Sequence, residues 1–74
     1  DRTGDVQEIE VTANVGKTVS ELSAELPEEV YVGLIVREGE SRVPHADDVL
    51  QAGDHVTFIG RKEAVRAAID YCTN

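Results

Sequence analysis

Three groups able to carry positive charge, Arg37, Arg42 and His45, fall close together in a sequence that has few cations. A guanidinium grips phosphate or carboxylate through a planar fork of N–H donors. Arg37 closes an apolar run, and Arg42 lies just beyond the Glu38-Gly39-Glu40 turn, so the two are expected to come near each other across it. With Val36, Val43 and Pro44 as an apolar floor and His45 beside them, they form a candidate anion or nucleotide pocket, one that a two-fold axis would duplicate. The same two arginines have a plainer use. Pairing with Glu38 or Glu40 would be a surface contact worth at most about 1 kcal/mol.

Other chemistry fares less well. Gly16-Lys17-Thr18 has the end of a phosphate loop, but Val11 stands where the upstream glycine of that pattern belongs, so the tripeptide reads as a turn followed by a helix cap. Asp47, Asp48 and Asp54 with His45 lack the alternating oxygen ligands of a calcium loop and read as a solvated acidic loop without a metal. Ser20, Ser23 and Ser41 have cap, helix and turn roles. Cys72 falls on the apolar face of a helix, and neither histidine has a marked partner. No nucleophile, base and orienting group assemble, so no catalytic residue is assigned and an enzyme is not expected.

The elements that must position these residues follow from hydrophobic period. Val30 to Arg37 is apolar nearly throughout, which suits an interior strand buried on both sides. Its expected neighbour is His55 to Gly60, rich in β-branched and aromatic residues and introduced by the turn-forming Gly53-Asp54. Ahead of this pair, Asp1 to Asp5 reads as the end of a linker, and order is expected from Val6. Glu8 to Val15 alternates strictly, with Ile9, Val11, Ala13 and Val15 on one face, predicting a strand. Thr18-Val19-Ser20-Glu21 has capping-box form and opens a short helix whose Val19, Leu22 and Leu26 share a face before Pro27 stops it. Ser41 to Val43 is the returning arm of a hairpin, held to an edge or ended by Pro44. His45 to Leu50 is a loop or single helical turn delivering Val49 and Leu50 to the core. Lys62 to Cys72 carries Val65, Ala68, Ile69 and Cys72 at helical spacing. The predicted fold class is α+β: a small mixed or antiparallel β-sheet with a short helix after strand 1 and a C-terminal helix, in the order β-α-β-β-β-α. A single domain over residues 6–74 is expected.

Composition bounds the partners. The 74 residues carry 15 Asp and Glu against 7 Lys and Arg, a formal net charge of -8, with only two lysines. Nucleic acid is excluded as a partner because phosphate binding needs a basic face. An acidic, lysine-poor surface suits molar salt, where the Debye length falls to about 3 Å, and fits either a halophilic source or an ordinary acidic cytosolic domain. One cysteine rules out an internal disulfide and fits an intracellular setting. No apolar run reaches the roughly 20 residues that span a bilayer, so no direct membrane insertion is expected. Three aromatics make a thin core, and a chain this small gains from burial against a partner, which predicts a homodimer.

Four stretches in order, Val15 to Leu22, Val32 to Gly39, Val43-Pro44 and Leu50 to Gly60, resemble the TrkA C-terminal domain, also called the C-terminal lobe of RCK domains, the regulators of potassium conductance. The resemblance covers about Val6 to Cys72. It implies a cytoplasmic regulatory, ligand-sensing and dimerisation domain, a fragment of a longer protein, attached to an RCK nucleotide-binding lobe or to a potassium or other cation channel or transporter. It implies no cofactor. Some members of that family bind a cyclic dinucleotide at a dimer interface; here cyclic di-AMP would place Arg37 and Arg42 near its phosphates and His45 beside the base. Small acidic β-grasp modules share the hydrophobic central strand and the Leu-x-x-Gly-Asp turn and are the alternative, as protein-interaction modules without carrier chemistry, since the chain has no free Gly-Gly end.

Overall fold

A computed structural model describes residues 4–74. The elements run β1 (Gly4–Glu10), α1 (Val19–Glu25), β2 (Val30–Arg37), β3 (Glu40–Arg42), β4 (His55–Arg61) and α2 (Lys62–Thr73). The four strands form one sheet in the order β1-β4-β2-β3, every neighbouring pair antiparallel. The α+β class and the β-α-β-β-β-α order expected from sequence are therefore observed, with β2 and β4 side by side in the interior of the sheet. Both helices pack on one face. Leu22 of α1 and Ala64, Val65, Ala68 and Cys72 of α2 join Val30, Val32, Ile35, Val56 and Phe58 of the sheet in a single core.

The first strand departs from its expected bounds. β1 starts at Gly4, inside the segment taken for a linker end, and stops at Glu10; residues 1–3 of that segment lie outside the described residues. The alternation continues in sequence to Val15, but the last turn of α2 has carbonyls without helical partners, and the chain after Glu10 supplies them with donors. Thr12 and Ala13 both donate their N–H to the Cys72 carbonyl at 2.9 Å, and Asn14 Nδ2 donates to the Tyr71 carbonyl at 2.6 Å. Asn14 takes φ 56°, and Val15 ends exposed rather than in the core.

Strand β2 has the predicted bounds but only one buried face. A bulge between Val32 and Leu34 resets the alternation, so Val30, Val32 and Ile35 all face the core although their spacing is not a simple period of two. Gly33 marks the bulge: a Cβ there would meet Ile59 Cδ1 at 2.5 Å. On the other face Tyr31 is 58% exposed, and no element of the described chain covers it. The expected burial of β2 on both sides is thus corrected, because both helices lie on the same side of the sheet.

Smaller elements follow local chemistry. Thr18 and Glu21 close the capping box reciprocally, the Thr18 hydroxyl accepting from Glu21 N–H at 3.1 Å and the Glu21 carboxylate from Thr18 N–H at 2.9 Å. The β2–β3 turn places Glu38 and Gly39 at φ 53° and 80°, a two-residue hairpin turn of the kind whose twist matches the flanking strands. β3 is an edge strand, as Pro44 implied, and leaves Val43 outside it and 71% exposed. Leu50 reaches the core, but Val49 does not: it bridges to Thr18 and remains 45% exposed.

Candidate functional site

The arginines of the hairpin are both taken by carboxylates, though not by Glu38 or Glu40. Arg37 Nε and Nη2 each donate at 2.8 Å to the two oxygens of Asp54, a bidentate fork, and Nη2 also donates to the Val49 carbonyl at 2.9 Å. Asp54 is 2% exposed, the one buried charged side chain among the described residues. Its second oxygen also accepts the Gln51 N–H at 2.9 Å, so this buried carboxylate is fully engaged. The Arg37 hydrogen bonds, helped by the Gln51 N–H and opposed by burial, hold the Asp54 carboxyl below the ordinary carboxylate range. Asp54 in turn raises the Arg37 guanidinium.

Strand register explains why these two residues meet. Val36 pairs with His55 across β2 and β4, so the next step outward brings Arg37 to Asp54. The Gln51-Ala52-Gly53-Asp54 turn closes with Asp54 N–H to the Gln51 carbonyl at 3.1 Å, with Gly53 at φ 91°, and aims the carboxylate inward. The solvated acidic loop expected for Asp47, Asp48 and Asp54 is corrected at Asp54, which is buried and has Arg37 as a partner that the sequence reading missed. The available signal was the register of two strands already taken as neighbours.

Arg42 is the second clamp. Its Nη2 donates to Asp48 Oδ1 at 2.8 Å, while Asp48 Oδ2 accepts the His45 N–H at 2.8 Å, fixing the start of the loop. The His45 N–H, then Arg42, lower the Asp48 carboxyl. The loop from Pro44 to Asp54 is further stitched to the first turn of α1 and the segment ahead of it: Val19 N–H reaches the Asp48 carbonyl, Ser20 N–H that of Ala46, and Gly16 N–H that of Leu50. Gly16-Lys17-Thr18 is accordingly a turn, a strand-like bridge and a cap.

The six candidate pocket residues do not share one surface. Val36 lies opposite Ser41, on the face away from the helices, whereas Arg37 and Arg42 lie toward the helical face, with Arg42 opposite the inward Ile35. Arg42, Val43 and His45 are exposed and Pro44 is half-buried. A surface depression of about 390 Å³ opens between the Glu38-Gly39 turn and the Gln51 to His55 segment, with Arg37 and Asp54 at its back. Of the six candidates only Arg37 lines it. Cys72 is buried, and burial pushes its thiol up to about 11, which suits a packing residue rather than a nucleophile. Among the described residues no group of histidine, cysteine or carboxylate side chains is arranged to hold a metal ion, and no helix is long and apolar enough to cross a membrane.

Comparison with known proteins agrees with the sequence resemblance. The TrkA-C domain matches residues 6–73. The chain is 38% identical over 58 residues to an uncharacterized transporter of Bradyrhizobium diazoefficiens, covering 78% of this chain and 10% of that protein. It is 34% identical over 61 residues to a Trk system potassium uptake protein TrkA homolog of Archaeoglobus fulgidus, covering 82% of this chain and 14% of that protein. The chain thus corresponds to a small part of the length of both relatives.

Proposed function

The chain belongs to the TrkA-C domain family, and from that premise we propose that it is a regulatory module of a potassium or other cation transport protein, acting on the cytoplasmic side of the membrane by pairing and ligand sensing rather than by catalysis. The observation that carries this reading is the match over residues 6–73, joined to a relative named for potassium uptake. In such a protein the module would work beside an RCK nucleotide-binding lobe or a membrane channel or transporter. The family match leaves the β-grasp alternative without a separate basis.

The ligand-sensing part rests on the exposed end of the hairpin, Arg42, Val43, Pro44 and His45. Arg37 is committed to Asp54, so its contribution is to hold the loop, and an anion would engage Arg42 by drawing it from Asp48. The acidic, lysine-poor surface supports work at high salt.

Two measurements test this. Potassium uptake should lose its regulation, not its basal transport, when this segment is deleted from the full-length protein; unchanged regulation would overturn the proposal. Calorimetric titration with cyclic di-AMP should show binding that Arg42→Ala weakens about tenfold or more, the equivalent of losing a charge-assisted hydrogen bond of roughly 1.5–3 kcal/mol. Equal affinity in the variant, or no heat at sub-millimolar nucleotide, would leave a module that pairs without sensing this ligand.

A further inference from the structure

Strand β1 lies at one edge of the sheet and pairs only with β4 among the described residues. Its hydrogen-bonding phase is set just past its end, where Val11 N–H donates to the Asp54 carbonyl at 2.8 Å and the Val11 carbonyl accepts the Gly53 N–H at 3.0 Å. Main-chain groups alternate in direction along a strand, so Asp5, Gln7 and Ile9 turn theirs toward β4, and Val6, Glu8 and Glu10 turn theirs to the open edge. The Val6 N–H donates there to the neighbouring Asp5 carboxylate at 3.0 Å. The opposite edge, β3, is three residues long and ends at Arg42, ahead of Pro44. β1 is therefore the longer template for another strand.

A groove runs beside this edge. β1 and α2 lie side by side and point the same way, from Gly4 next to Arg61 to Thr12 next to Cys72. Asp5, Gln7 and Ile9 stand opposite Gly60, Phe58 and Val56, and so share the helical face with the buried Phe58 and Val56. Between them and the helix a depression of about 330 Å³ is lined by Asp5, Gln7, Lys62, Arg66, Ile69 and Asp70. Lys62 and Arg66 are exposed, a helical turn apart, and neither forms an ion pair among the described residues, whereas Arg37 and Arg42 are both clamped. Of the two carboxylates in the groove, Asp5 is engaged by the Val6 N–H and Gln7 Nε2, and Asp70 lies a turn beyond Arg66. On the other face of the same edge Val6, Glu8 and Glu10 are exposed. The edge thus offers cations on its helical side near the start of β1 and carboxylates on its open side near the end.

We propose that this edge and groove receive an extended segment of a partner polypeptide, which adds to β1 as a further strand, antiparallel like the pairs already in the sheet. Its residues toward α2 are acidic, beside Lys62 and Arg66. Those toward the open side are apolar beside Val6 and basic beside Glu8 and Glu10. A slip of one residue would move the acidic residues to the glutamate face and the basic ones to the face of Lys62 and Arg66, so charge sets the register. This inference goes beyond the regulatory role proposed above, since it needs neither pairing of two copies nor a nucleotide.

The probe is the capped peptide Lys-Val-Lys-Glu-Val-Glu, titrated into the isotope-labelled 74-residue chain and followed by nuclear magnetic resonance. Saturable binding up to millimolar peptide is expected, with amide exchange slowed at Val6, Glu8 and Glu10 and unchanged in β3. The peptide N-methylated at its second lysine and second valine, which lose the donors aimed at β1, should fail to bind. Lys62→Glu combined with Arg66→Glu should weaken binding about tenfold. Both positions are exposed, and glutamate suits the first turn of α2, so this double variant should keep its fold, which far-UV circular dichroism checks. No binding at millimolar peptide, or equal affinity in the double variant or for the N-methylated peptide, would overturn the proposal. So would protection of the Glu8 and Glu10 amides that rises with concentration of the chain alone, because a second copy would then hold the edge.

Discussion

At the scale of single residues, the Arg37–Asp54 pair has the largest consequence. Removing one partner of a buried pair costs about 3–5 kcal/mol, because the other is left charged and desolvated. Arg37 keeps about a quarter of its side chain in solvent, which screens the interaction and moves the effect to the lower end. Asp54→Ala should therefore cost about 3 kcal/mol in urea denaturation, a large part of the stability of a small domain. Asp54 also sets the acid limit. Its pKa is depressed on folding, so its stabilisation is fully present above the unfolded carboxyl value and is lost as pH falls through the lower folded value. Wild-type stability should drop on acidification below about pH 4, and Asp54→Asn should flatten that part of the curve. An unchanged acid limb in the variant would show that other carboxylates control it.

At the scale of elements, close approach of backbone sets the tolerances. Gly60 on β4 lies against the carbonyl of Glu29 so tightly that a Cβ would overlap it, and that same carbonyl accepts the Arg61 N–H at 2.9 Å. Gly60→Ala must push β4 from the start of β2 and should cost about 2–3 kcal/mol as overpacking. Gly39→Ala meets no atom but keeps φ 80°, so only the left-handed penalty applies, about 1–2 kcal/mol. Urea midpoints for the two variants should fall in that order, and the reverse order would show that strand β4 shifts freely. Elements whose cause is local were legible in the sequence: the Thr18–Glu21 box, the Pro27 stop, a hairpin after Arg37, whose turn is one residue shorter than the expected Glu38-Gly39-Glu40, and the α2 stripe. The end of β1 was not, because it is decided by the carbonyls of Tyr71 and Cys72 far along the chain, and an alternating pattern through Val15 cannot show that its amides are claimed by a helix end. Arg37 and Arg42 stand out in the sequence as scarce cations, but the pocket expected around them is not assembled on one surface, and their partners, Asp54 and Asp48, follow from register and loop path rather than from nearness in sequence.

At the scale of the whole molecule, charge and size oppose each other. A domain of 74 residues carries a net charge of -8 over a single small core, and self-repulsion at low ionic strength works against the compact state. The melting temperature should rise with potassium chloride from about 0.1 M toward about 3 M as screening shortens from roughly 10 Å to a few ångströms or less. A scanning calorimetry series with no salt dependence would count against adaptation to high salt. Where the melting temperature also rises with protein concentration, pairing is contributing by mass action.

The tie between Thr12, Ala13 and the Cys72 carbonyl has a mechanical consequence. Gly4 lies beside Arg61, where α2 begins, while Asn74 lies beyond the end of that helix, near Thr12. Residue 4 and residue 74 are thus separated by the length of α2, on the order of 18 Å at the helical rise. Tension applied between them runs along β1 and loads its ladder with β4 in shear. All seven paired residues of β1 then bear the load together instead of opening one after another. The domain should resist stretching along this axis and pass a pull from one end to the other as a displacement, yielding far sooner when the same force is applied across the strands.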